Sequence, residues 1–199
     1  MQKAIKDFRE NIARARNLGG LYSALTSLTT GAIDASDILR AQIVLSVSAL
    51  DCFVHELTLL GMLEVFSGKR PATPSFLKFR ISMDFVLATG GSSTASSSFE
   101  LEIRERHSFL SFQQPEKVAE AIRLFSDVVL WQQVSSKLSI SETSVKNQLK
   151  LIVDRRNKIA HEADIDPTYG VRWPISEIDV ISALDFIEKL CESIYDVVV

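Results

Sequence analysis

Cysteine is nearly absent from this chain. Cys52 and Cys191 are the two in 199 residues, far apart and each in an apolar helical setting. Such a pair builds neither a disulfide framework nor a zinc cluster, and it suits a reducing compartment. A spaced set of Cys and His, or of acidic ligands, is missing as well, so neither a metal nor a cofactor is expected. Positive charge is not in excess: 22 Lys and Arg stand against 25 Asp and Glu, for a net charge of -3. Bulk charge therefore excludes a general polyanion binder, and any nucleic-acid contact must come from a local patch. There is no clean apolar span. The most apolar run, 38–66, is broken by Arg40, Asp51, His55 and Glu56, which a membrane-crossing helix rarely tolerates. The first residues, MQKAIKDFRENIARAR, are charged throughout, unlike a signal peptide. The expectation is a soluble, cytoplasmic protein without a membrane partner.

What is present is a good supply of core. Hydrophobic residues make up 46% of the chain and charged residues 24%, which fits one globular domain over 1–199, its core over about 36–199. Residues 3–17 have a helical apolar period at Ile5, Phe8 and Ile12, and Gly19-Gly20 then punctuates. "DASD" at 34–37 offers N-caps for a long helix over 38–66, apolar nearly all round and so central. Residues 75–87 show no clean period. "ATGGSSTASSS" at 88–98 reads as a flexible connector. "FELEIRERHSFL" suits a short strand or a helical turn. Pro115 opens a helix, and a short one follows around 127–138. Ser141 caps a second long helix that carries "IVDRRNKIAHEA", and Ser176 caps the last. The sum is an all-α bundle of five or six helices, two of them long and central, with a polar insertion in the middle.

One position breaks the pattern of the second long helix. Its apolar seam runs Val145, Leu149, Ile152, then Arg156, then Ile159 and Ala163. A guanidinium in a core-facing seam is costly unless it is paired, faces a cleft or meets another chain. Asp154, Asn157 and His161 form a neighbouring polar stripe. Arg156 and His161 are five residues apart, about 140° around an ideal helix, so they point different ways. An Arg and a His near a helix end are most often solvated or capping groups. The interrupted seam argues for a site, without saying which. Asp51, a lone carboxylate in the apolar first long helix, needs a partner of its own, and Arg156 or Asn157 across the bundle is the expected one.

"LKLIVDRRNKIAHEAD" resembles the signature helix of HEPN domains, with its R-x-x-x-x-H motif and a polar residue after the Arg. More narrowly, "LSVSALDCFVHEL", "SFLSFQQPEKVAEAIRLF", the "LW" before the second long helix, "WPIS" and "DFIEKL" resemble the RiboL-PSP-HEPN group. The resemblance implies a HEPN-like helical bundle that commonly dimerises, with two motifs lining a shared cleft. It implies metal-independent RNA cleavage, in a toxin or defence setting, with an antitoxin or defence-system partner. The motif then makes Arg156 and His161 the catalytic pair and Asn157 their polar neighbour. Asp51 matches, more loosely, an acidic position on the preceding long helix. Arg155, Arg156 and Lys158, with Arg172 beyond the turn, make a small basic patch for RNA.

The chemistry agrees with such a site. RNA carries its own nucleophile, the 2′-OH. A histidine, ordinarily near pKa 6.5, can take or give a proton, and an arginine can hold the phosphate as charge builds on it. A two-fold homodimer doubles both groups and removes the difficulty of the 140° gap. Two other readings stay open: a non-catalytic HEPN sensor or interaction protein, and a plain helical scaffold with Arg156 in an interface salt bridge.

Overall fold

The computed structural model describes residues 1–30, 33–89 and 95–199. Among these there are nine helices and no strand: α1 (Gln2–Leu28), α2 (Ser36–Phe66), α3 (Pro74–Leu77), α4 (Met83–Thr89), α5 (Ala95–His107), α6 (Pro115–Ile122), α7 (Leu130–Leu138), α8 (Glu142–His161) and α9 (Glu177–Val198). The protein is an all-α bundle, as the periodicity predicts. α2 lies at its centre, packed by α1, α5, α6, α8 and α9.

α2 is long and apolar enough to cross a membrane by length and composition alone. Its apolarity is that of a core helix, however: Val47, Leu50, Phe53, Val54, Leu57 and Met62 are buried among the surrounding helices. Gly61 sits in its second half, where the Phe125 ring lies on the backbone. A Cβ there would stand 2.3 Å from Cγ of Phe125. Overpacking of this kind costs about 1–3 kcal/mol, against about 1 kcal/mol regained from helix propensity. Gly61→Ala is therefore expected to lower the urea midpoint despite making a better helix former.

Two expectations need correction. The glycine pair Gly19-Gly20 does not punctuate, because α1 runs through it to Leu28. Gly19 serves packing: a Cβ there would meet Nε2 of Gln42 at 3.1 Å, and that side chain donates to the Ala15 carbonyl. The core likewise does not begin near residue 36, since Ala4, Ile5, Phe8, Ile12 and Ala15 of α1 are buried in it. Of the two readings of "FELEIRERHSFL", the helical one holds: Phe99, Ile103 and His107 fall on one buried face of α5. Of the connector expected at 88–98, residues 90–94 lie outside the described residues, 88–89 close α4 and 95–98 open α5.

Caps fix the two helices nearest the motif. The Ser141 hydroxyl accepts from Ser144 N–H at the start of α8, and Ser176 accepts from Asp179 N–H at the start of α9. Between them the chain makes a tight return. Asp166 N–H donates to the Val171 carbonyl, Gly170 N–H donates to the Asp166 carbonyl, and Ile165 bridges Arg172. Gly170 has φ 65°, a value that suits glycine.

Candidate active site at the end of helix α8

α8 buries Val145, Leu149, Ile152 and Val153. The seam stops there. Ile159 is half-buried, and Ala163, beyond the helix end, is exposed. Arg156 thus stands where the buried stripe runs out, and not inside it. It is half-buried, and its Nη1 donates to Oδ1 of Asn157 at 3.0 Å. Its Nε–H is buried without an acceptor. His161, in the last turn, is exposed, and its side chain makes no hydrogen bond among the described residues. α8 stays α-helical through both positions, so they leave it about 140° apart.

The adjacent arginine behaves differently. Nη2 of Arg155 donates to Asp164 Oδ2 at 2.8 Å and to the Pro174 carbonyl at 3.1 Å. The same Asp164 oxygen receives Nε of Arg40, on α2, at 2.7 Å. Arg40 further donates to the Trp173 carbonyl and to the Ser36 hydroxyl. Asp164 is fully buried and Arg40 nearly so. Arg155 is therefore held in the fold through its Nη2, with its side chain 25% exposed. Arg172 is also taken, by Asp37 at 2.6 Å. Of the expected basic patch, Arg156 and Lys158 make no ion pair among the described residues. Lys158 stands over the Trp173 ring, with Nζ 5.1 Å from the centroid.

Asp51 does not orient Arg156 or Asn157. Its Oδ1 accepts from Phe112 N–H at 2.7 Å and its Oδ2 from Nε2 of Gln113 at 2.9 Å. The carboxylate anchors the segment between α5 and α6, and it meets α8 only indirectly, through the next residue: Gln114 Nε2 lies 3.5 Å from Asp154 Oδ1. Donors from the segment before α6 meet both oxygens, in place of Arg156 or Asn157. Two neutral donors satisfy a half-buried carboxylate equally well.

Sequence reading missed Asp164, Arg40 and Trp173. One signal was present. Arg40 is a lone charge in an apolar helix, and the demand for a partner raised for Asp51 applied to it with more force.

A second polar cluster lies between α2 and α5. A cavity of 420 Å³ is lined by Cys52, His55, Glu56, Arg104 and His107, among others. Nε2 of His55 lies 3.2 Å from the Leu110 carbonyl. His107 is buried, its Nδ1 unpartnered, and burial with the nearby His55 pushes its pKa down to about 4. Among the described residues, no group of three or more His, Cys, Asp or Glu side chains is placed to hold a metal ion.

An all-helical bundle whose second long helix ends on Arg-Asn-x-x-x-His has the architecture of a HEPN domain. The chain belongs to the RiboL-PSP-HEPN family, whose model matches residues 9–199. HEPN domains are often ribonucleases, and membership points to ribonuclease or nucleotide-related chemistry. No curated protein and no solved structure matches the chain.

Proposed function

We propose that the protein is a metal-independent endoribonuclease, with Arg156 and His161 as its reacting groups and a two-fold dimer as its working form. The observation that carries this reading is selective freedom at the end of α8. Arg155 is committed to Asp164 and two carbonyls. Among the described residues the Arg156 side chain bonds only its neighbour Asn157, and that of His161 bonds nothing. A fold that uses one arginine of a pair and leaves the other unpaired has a cation to spare for a phosphate.

The reaction needs four events. A base takes the proton of a ribose 2′-OH. That oxygen attacks the adjacent phosphorus, and the P–O5′ bond breaks. An acid then protonates O5′. The products are a 2′,3′-cyclic phosphate and a 5′-hydroxyl. Two copies of His161 supply the base and the acid, and Arg156 stabilises charge on the non-bridging oxygens. Because the two side chains diverge by about 140° on one helix, the pair that meets one phosphate comes from two chains.

The test uses total RNA and a defined oligonucleotide in excess EDTA. The expected result is cleavage that leaves cyclic phosphate ends and that stops when the ribose at the cut site is 2′-deoxy. Binding without cleavage across several RNAs would instead identify a non-catalytic interaction module. A strict monomer at micromolar concentration would remove the shared cleft.

A further inference from the structure

A buried carboxylate three residues after His161 holds two guanidinium groups on one oxygen. We infer that Asp164 is a positioning residue: gripped by Arg40 and Arg155, it sets where α8 ends and so fixes the stance of Arg156 and His161. The inference rests on the ribonuclease reading for its kinetic consequence, though not for its structural one.

The backbone shows what is being held. Ala163 and Asp164 are consecutive non-glycine residues in the left-handed region, at φ 52° and 58°. L-residues enter it at a cost, and such strain persists only where the surroundings over-determine it. Here they do. Asp164 N–H donates to the Lys158 carbonyl at 3.0 Å, and its own carbonyl receives Trp173 N–H at 2.8 Å. Its carboxylate receives the two guanidinium groups. Main chain and side chain of one residue thereby join three places: the start of α2 through Arg40, the last turns of α8 through Arg155 and Lys158, and the Trp173-Pro174 segment.

Location gives this a purpose beyond stability. Terminal helical turns fray, and His161 occupies the last one. Catalysis requires its imidazole within a fraction of an ångström of its working place, and a displacement of about 1 Å can cost 100-fold. Asp164 cannot touch substrate, because it is fully buried. Its effect reaches the reaction only through the helix end. Arg40 and Arg155 share that role, which also explains why, among the described residues, the first arginine of "RRN" is held by a carboxylate while the second is not.

The experiment compares Asp164→Asn and the milder Arg155→Lys with wild type at a temperature where circular dichroism shows all three folded. The expected result is a fall in kcat of about 100-fold for Asp164→Asn and about 10-fold for Arg155→Lys, with KM within threefold. A residue needed only for stability would lower the melting temperature and leave kcat of the folded protein alone, and that result would overturn the inference. So would a loss carried wholly by KM. A second readout is independent of catalysis. The chain has three histidines, so the His161 ring resonances are assignable by comparison with His161→Ala. They are expected to shift and broaden in both variants. If wild type cuts no RNA, the ribonuclease reading fails while these resonances still report the lock, and unchanged resonances would sink it. Should Asp164→Asn not fold, Arg155→Lys carries both measurements.

Discussion

Arg156→Ala is expected to lower RNA cleavage by about 100-fold or more while leaving the melting temperature where it is; Arg155→Ala is expected to unsettle the fold first. The two side chains are neighbours in sequence with the same charge, so composition alone foretells the same effect for both. Their surroundings decide otherwise. Among the described residues the Arg156 side chain makes one hydrogen bond, to the adjacent Asn157, and keeps a buried Nε–H without an acceptor. A buried donor without a partner costs about 1–3 kcal/mol, so truncation removes a penalty along with the charge. Arg155 is three-quarters buried and shares a carboxylate that is 1% exposed. Its removal leaves Asp164 with Arg40 alone and strips a donor from the Pro174 carbonyl. Losing a charged hydrogen bond at such a site costs about 2–3 kcal/mol. For a domain of this size that is a fall of about 5–10 °C. His161→Ala belongs with Arg156→Ala: the side chain is exposed and bonds nothing among the described residues, and general acid–base groups contribute about 10²–10⁴-fold. Thermal melts and cleavage assays on the three variants check the pattern. Equal loss of stability in Arg155→Ala and Arg156→Ala would contradict the division of roles.

The parts legible in the sequence were those that depend on local pattern. α2, α8 and α9 follow from apolar period and from Ser141 and Ser176, whose hydroxyls cap as read. The less legible parts depend on who meets whom across the bundle. Gly19-Gly20 has the composition of a break, but a close approach to Gln42 on α2 makes the glycine useful inside a helix. Heptad spacing puts Arg156 in the buried seam, because that spacing carries no information on where a helix stops being covered. Beyond Val153 the seam residues of α8 are no longer buried, and the same count therefore names a rim position. Asp51 and Arg40 show the limit most clearly. Both are lone charges in one apolar helix, and both have their charge met. One is satisfied by a backbone N–H and an amide 61 and 62 residues away, the other by a carboxylate 124 residues away. Need for a partner is visible in a sequence; the partner is not.

His107 supplies a pH dependence of stability separate from the end of α8. It is 4% exposed, in edge-to-face contact with Phe79 and Phe112, and its ring faces that of His55 at 6.3 Å. Burial, with His55 second, pushes its pKa from 6.5 down to about 4. The sign follows from which state holds more protons. Between pH 6.5 and about 4 the unfolded chain is protonated at this site and the folded one is not, so stability falls as the pH drops through that window. Above pH 6.5 the contribution is complete; below about 4 both states are charged and nothing further is lost from this group. At 1.36 kcal/mol per pH unit the whole change amounts to about 3 kcal/mol. Carboxylates titrate near the lower end, so the informative quantity is a difference between proteins. Urea midpoints of wild type and His107→Leu, taken from pH 7 to pH 4, are expected to separate steadily, the variant losing less. The substitution keeps an apolar body in the ring cluster and removes a nitrogen that has no partner to lose. Parallel midpoints would show that the buried imidazole is charged in the folded protein, and would require an acceptor for it that none of its ring neighbours provides.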